Sequence, residues 1–191
     1  MDLTEKCLDS ERKYSGLIVN VRLDTAELSS GALEMREVVE HCGGVAVLPV
    51  DDEGMCCMVR QFRYPFSREM LEVPAGKLEP GEEPEQCAVR ELSEETGLRA
   101  DRLVPIGSVC ASPGYLTEEI HIFLALGLHQ GDSHPDENEL LSVERYSLTE
   151  LADRALCGEI RDSKTVIALL KAEKFFEQKT VSQRDSFRHY I

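Results

Sequence analysis

At 191 residues, with 42% hydrophobic and 30% charged residues, the chain has a globular composition and is long enough for one full core plus a modest extra subdomain. Asp and Glu outnumber Lys and Arg by 36 to 21, a formal charge of -15, and a field of that sign repels nucleic-acid phosphates and anionic lipid headgroups. Polymeric nucleic acid and membranes are therefore not expected partners, whereas a small anionic nucleotide is admitted where local cations or a bound metal invert the field within one cleft.

The opening MDLTEKCLDSERKYSG is polar and lacks the apolar run of a signal sequence. No stretch approaches the roughly 20 apolar residues of a membrane span. The seven cysteines are odd in number, contain no CxxC pair and lie partly in apolar runs, which reads as reduced thiols and a cytoplasmic protein. Leu17, Val19, Val21 and Leu23 give the period-2 pattern of a half-buried strand over Tyr14 to Leu23, and Ser29, Ser30 and Gly31 supply a turn before a second strand, Ala32 to His41. Residues 1–41 thus read as a small β subdomain. A hairpin of this size is marginal alone and is expected to pack on the main domain or on a second subunit.

The main domain, residues 42–191, opens with GGVAVLPV and MCCMVRQF flanking Asp51 to Gly54, a composition that suits a hairpin turn. Further strands are expected at Met70 to Val73, Leu103 to Ala111, Glu119 to Gly127 and Ser142 to Ser147. A first helix is expected from Pro84 to about Thr96, with Gly97 just beyond its end. Ser147 and Glu150 form a capping-box pattern before a second helix that stops near Gly158, and Asp162 is placed to cap a third over Ser163 to Gln178. Strands and helices in this order imply an α/β (α+β) domain with helices packed on sheet.

The most informative segment is GKLEPGEEPEQCAVRELSEETGL, Gly76 to Leu98. Glu91, Glu94 and Glu95 stand at helical offsets of three and four and share one face, where like charges repel unless something positive lies opposite. A hard divalent cation with oxygen ligands meets that need. The preceding Pro74, Ala75 and Gly76 describe a tight loop able to offer a backbone carbonyl as a further ligand. Arg90 lies one turn from Glu94 and within reach of Glu82, so its expected task is to orient acids.

Gly76, Glu82, Arg90, Glu91, Leu92, Glu94, Glu95, Gly97 and Leu98 together resemble the complete Nudix box, with no departure at its fixed positions. The resemblance implies an α/β/α sandwich with a mixed sheet, and hydrolysis of a nucleoside diphosphate linked to another moiety, with Mg2+, or Mn2+ in its place. It implies Glu91 and Glu95 as the principal metal ligands, Glu94 as a third, catalytic carboxylate bound to the metal or to metal-bound water, the Ala75 carbonyl as a further ligand, Glu82 and Arg90 as a supporting ion pair, and Gly76 as part of the site's support. Pro113 and Gly114, sixteen and seventeen residues after Gly97, together with VRQFRYP, LEVPAGKLEPGE, SPGYLTEEIHIFLA and DSKTVIALL, are similar to the ADP-ribose pyrophosphatase branch. That branch implies cleavage of ADP-ribose to AMP and ribose 5-phosphate, and a homodimer that swaps the N-terminal subdomain. It also implies Arg36 and Glu37 as contacts for the adenine or terminal ribose, and Glu139, with Glu137 as the alternative, as the base that activates water. Arg63 is the candidate phosphate contact, because guanidinium forks match phosphate oxygens and an acidic protein needs local cations to admit an anion. The alternatives are a Nudix hydrolase of another nucleotide sugar or dinucleotide, and a non-catalytic ADP-ribose-binding sensor.

Overall fold

The computed structural model describes residues 2–131 and 140–187, with side chains as far as residue 178. Two compact units result: Met1–Gly43 together with Cys110–Glu119, and Gly44–Val109 together with Ile120–Ile191.

In the first unit β1 (Glu5–Ser15), β2 (Asn20–Leu28) and β3 (Leu33–Glu40) form an antiparallel sheet in that order. The β2–β3 hairpin turns at Gly31, whose φ of 82° favours a residue without Cβ. Sequence patterning had supplied only two strands here. Every residue of β1 is exposed, so it shows no apolar alternation, and Tyr14 belongs to it; β2 begins at Asn20, after a turn closed by Gly16 N–H on the Val19 carbonyl at 3.0 Å.

This sheet is held by polar cross-strand pairs more than by a core, Ala26 being its one buried apolar residue among those described. Buried Asp24 accepts from Ser10 Oγ at 2.6 Å and pairs with Arg22, whose Nε lies 3.0 Å from Glu40. Arg12 reaches the same Glu40 at 2.9 Å. The unit also takes in Cys110–Glu119, beyond the residues 1–41 expected: Val39 N–H donates to the Tyr115 carbonyl at 2.7 Å and its carbonyl accepts from Thr117 N–H at 3.0 Å.

The second unit contains β4 (Gly44–Pro49), β5 (Met55–Arg63), a short 3-10 turn (Tyr64–Phe66), β6 (Arg68–Glu72), β7 (Ala75–Lys77), α1 (Pro84–Thr96), β8 (Leu98–Cys110), β9 (Glu119–Gln130), β10 (Leu141–Ser147), α2 (Leu148–Leu156) and α3 (Ser163–Phe187). One sheet runs β7-β4-β9-β8 and is mixed, β4 pairing parallel with β9 and antiparallel with β7; the other runs β10-β5-β6. The fold is mixed α/β, as expected.

The alternation of β4 explains its layering. Val45 and Val47 pack with Phe123 of β9 and with Cys87, Ala88 and Leu92 of α1. Ala46 and Leu48 pack with Ile122 and Leu124 of β9 and with Ala168 and Leu169 of α3. A strand covered by helices on both faces reads as an unbroken apolar run, which is why GGVAVLPV lacks polar punctuation. Ser147 caps α2 by accepting Glu150 N–H at 3.2 Å, and Asp162 caps α3 by accepting Thr165 N–H at 3.0 Å.

Leu48 is fully buried between the sheet and α3, so Leu48→Ala is expected to cost about 2–5 kcal/mol in urea denaturation. Met35→Ala, at a half-exposed position, is expected to change stability by less than about 0.5 kcal/mol.

Candidate active site

Helix α1 presents Cys87, Ala88, Glu91, Leu92 and Glu95 as its buried stripe, so two positions on a core-facing side carry carboxylates. Glu91 is 8% exposed and Glu95 5% exposed. Carboxylates buried this far need hydrogen-bond donors or cations. Pro84 opens the helix where its missing N–H is harmless, and Gly97, at φ 68°, closes it with its N–H on the Ser93 carbonyl at 2.9 Å.

Arg90 is the hub of this face. Its Nε and Nη2 donate to the two oxygens of Glu82, each at 2.9 Å, a fork-to-fork pair across the loop that precedes the helix. Its Nη1 donates to Glu91 at 2.6 Å and to Glu94 at 3.0 Å, and Nη2 also reaches the Lys77 carbonyl at 3.2 Å. One guanidinium therefore gathers three carboxylates. Hydrogen bonds from Arg90, then from the Glu79 N–H, pull the Glu82 carboxyl down to about 2.

Glu95 accepts the Ala75 N–H at 2.9 Å, tying the helix to β7. Gly76 is required here for space, not for its dihedral: a Cβ at that position would fall inside the Glu91 carboxylate. Gly81, with φ 80° and open surroundings, is the loop glycine chosen for its backbone conformation. Cys87 lies under this loop, and burial pushes its thiol up to about 12, which makes it a packing residue and no nucleophile.

Arg63, expected to meet phosphate, donates from Nε and Nη2 to the two oxygens of Glu72, each at 2.7 Å. Glu72 is only 1% exposed and also pairs with Lys164 of α3. The register sets Glu72 opposite Val59, on the face of β5 that also carries Arg63, so the guanidinium reaches back along the sheet to meet it. Arg63 also lies within electrostatic range of Glu95. Neither Glu72 nor Lys164 stands out in its own stretch of sequence.

The remaining expected residues are distributed elsewhere. Arg36 is on β3 in the first unit and pairs with Glu5 through Nε and Nη2, both at 2.9 Å; neighbouring Glu37 is exposed and in register with Leu23. Pro113 and Gly114 sit in the first unit within a turn in which Tyr115 and Leu116 N–H groups donate to the Ser112 carbonyl at 3.2 and 3.0 Å. Glu137 and Glu139 lie outside the described residues.

Among the described residues, no three His, Cys, Asp or Glu side chains converge as a ready ligand set. Glu91 and Glu94 turn to Arg90, and Glu95 to the Ala75 N–H. The donor chemistry nevertheless suits a hard divalent ion: Arg90 brings a single positive charge to Glu82, Glu91 and Glu94, leaving an all-oxygen face with surplus negative charge.

Residues 40–169 match the family described as NUDIX domain. The chain belongs to this family. It is 42% identical over 169 residues to an ADP-ribose pyrophosphatase of Bacillus subtilis (strain 168), covering 87% of this chain and 91% of that one. It is 39% identical to a methanol dehydrogenase activator of Bacillus methanolicus, covering 86% and 90% of the two chains. Its fold is similar to a crystal structure of an ADP compounds hydrolase, with a TM-score of 0.82, 23% identity, and coverage of 94% and 98%.

The Arg90 clamp makes a pH-dependent contribution to this NUDIX protein's stability. Because the Glu82 carboxyl is held at about 2 when folded and has an ordinary value of 4.5, its contribution is present above pH 4.5 and is lost as pH falls through about 2. Thermal melts of wild type and Glu82→Gln should therefore differ most near neutral pH and converge below about pH 2. A gap that stays constant with pH would contradict this assignment.

Proposed function

We propose that this NUDIX protein hydrolyses the pyrophosphate bond of ADP-ribose, giving AMP and ribose 5-phosphate. The observation that carries the reading is the carboxylate face of α1: Glu91, Glu94 and Glu95 lie within an intact family box, and Arg90 joins Glu91 and Glu94 to Glu82 of the preceding loop. The similarity to an ADP-ribose pyrophosphatase over most of both chains supports the choice of substrate.

In this reading Glu91 and Glu95, with Glu94 and the Ala75 carbonyl, would hold Mg2+, or Mn2+ in its place. Such an ion would supply charge neutralisation and activation of water. The protein's own groups do the rest. Arg90 and Glu82 keep the acids on one face of the helix, so the repulsion between them is settled before substrate arrives. Arg63 supplies a guanidinium to the phosphates, which an acidic protein needs in order to admit an anion. Glu139, with Glu137 as the alternative, takes the proton from the attacking water. Arg36, Glu37, Pro113 and Gly114 are the candidate contacts for the rest of the substrate.

A homodimer through the first unit belongs to the same proposal. It is supported by a sheet with little core of its own and by exposed apolar side chains on it, including Leu8, Tyr14, Leu33 and Met35. All seven cysteines are free thiols, which supports a reducing, cytoplasmic setting, and no described helix is long and apolar enough to cross a membrane.

Purified protein with Mg2+ should cleave ADP-ribose in preference to ADP-glucose, GDP-mannose, NADH and diadenosine polyphosphates, with AMP and ribose 5-phosphate resolved by chromatography and all turnover abolished by chelator. A different preferred substrate would overturn the specificity; binding of ADP-ribose without turnover of any compound would favour a sensor. Glu95→Gln should lower turnover by about two or more orders of magnitude with the fold intact.

Gly76→Ala tests the same face from the loop side. The added methyl must displace the Glu91 carboxylate, so divalent-metal affinity by calorimetry should fall about 10–100-fold. The melting temperature should move by no more than about 4 °C, because the clash is with a side-chain terminus and not with backbone. Unchanged metal affinity would show that Glu91 is no ligand.

A further inference from the structure

The buried pair between Arg63 and Glu72 does not stop at two residues. Lys164, on the first turn of α3, also binds the Glu72 oxygen that Arg63 Nη2 contacts. Its Nζ lies 3.0 Å from Asp162 Oδ1. The other oxygen of Asp162 accepts from Thr165 N–H at 3.0 Å and from Thr165 Oγ1 at 2.6 Å. Thr165 Oγ1 in turn accepts the Val73 N–H at 2.9 Å.

The four charged groups balance, two cations against two carboxylates; Glu72 is buried, and Lys164 and Asp162 are largely but not fully covered. Arg63 alone already satisfies both oxygens of Glu72. A second cation brought to this buried carboxylate adds desolvation cost, and ion pairs at buried groups are poor sources of stability compared with apolar residues of similar volume. What they supply is a fixed arrangement.

The arrangement fixed here is that of the segment entering the α1 site. Glu72 and Val73 are held by α3 through Lys164 and Thr165. The Pro74 carbonyl accepts Val47 N–H at 2.8 Å, and Ala75 N–H donates to Glu95. Glu72 simultaneously locks the plane of the Arg63 guanidinium, since both of its oxygens are engaged by the fork. That pair uses Nε and Nη2 and does not engage Nη1. Arg63 is 36% exposed, against 1% for Glu72, so it is the outward member of the pair.

We propose that Lys164 is a positioning residue for the hydrolytic site: by sharing Glu72 with Arg63 and holding it to the start of α3, it sets the Arg63 guanidinium to receive a substrate phosphate. The inference rests on the proposed function in taking Arg63 as the phosphate contact. Lys164 itself touches neither substrate nor metal. It acts by denying Glu72, and through it Arg63, any other orientation.

The test is a double-mutant cycle between Lys164 and Arg63, read both as kcat/KM for ADP-ribose with Mg2+ and as the affinity of the metal-free protein for ADP. Lys164→Met, with fold checked by circular dichroism and thermal melting, should lower kcat/KM about 10–100-fold and weaken ADP binding. Lys164→Arg should recover most of both, and adding Lys164→Met to Arg63→Ala should cause little further loss, because one residue acts through the other. Lys164→Gln serves the same cycle if the Met variant does not fold. Wild-type kcat/KM and ADP affinity in a folded Lys164 variant with only a lower melting temperature, or losses that multiply with those of Arg63→Ala, would reduce Lys164 to a structural residue and overturn the proposal. Failure of wild type to turn over any nucleotide would sink the enzymatic reading by itself, and the ADP-affinity cycle would still decide the role of Lys164.

Discussion

The guanidinium of Arg90 stands among carboxylates from a loop and from two turns of one helix, and the candidate site depends on it. Without a cation there, Glu91 and Glu94 would repel each other across one helical turn while Glu91 lost water as well. Arg90 resolves the repulsion by geometry: its fork takes Glu82 edge-on, and the remaining Nη1 is shared by the two helix acids. The loop is thereby fastened to the helix it precedes. Gly76 then brings the backbone close enough for the Glu91 carboxylate to occupy the space of a missing side chain.

That device requires a helix whose position is fixed to within a hydrogen bond, and the sheet provides this. Val45 and Val47 of β4 and Phe123 of β9 receive Cys87, Ala88 and Leu92, the apolar members of the stripe that also carries Glu91 and Glu95. The same strands present Ala46, Leu48 and Leu124 to α3 on their other face. A carboxylate on a core-facing stripe costs free energy that the surrounding apolar contacts must offset. The packing of α1 and the placing of its acids are therefore one problem, solved by a single helical phase.

How much of this could be read beforehand depended on where the specifying contacts lie along the chain. The face of α1 was legible residue by residue, because Glu82 to Glu95 interact at short sequence separation and Pro84 and Gly97 mark the helix ends directly. Strand β4 was legible in GGVAVLPV, whereas its pairing with β7 and β9, in a different sheet from β5, depends on distant residues and departs from the hairpin that the turn residues suggest. Strand β1 was not, because all of EKCLDSERKYS is exposed and only its register with β2 specifies it. β7 was missed because three residues in a Pro- and Gly-rich loop carry no period. Cys110–Glu119 joins the first unit through bonds to Val39, and nothing in its local composition announces so distant a partner.

Glu72 and Lys164 are the most instructive omission. Each looks ordinary in its own context: a glutamate ending a strand, and a lysine in the first turn of a helix, where the helix dipole favours an acid instead. They meet across a separation of 92 residues. The unfavourable end of the helix is tolerated because Asp162 stands beside the lysine and caps the same turn, so the positive charge is compensated locally and directed at Glu72. A cation at a helix N-terminus, next to an acid that already serves as the cap, is thus a local conflict with a distant resolution. The conflict is visible in DSKT, but its resolution needs the register of β6 against β5, which brings Arg63 to the other side of Glu72. The same buried carboxylate then joins the start of α3 to the strand that leads into Ala75, and Ala75 is tied to Glu95.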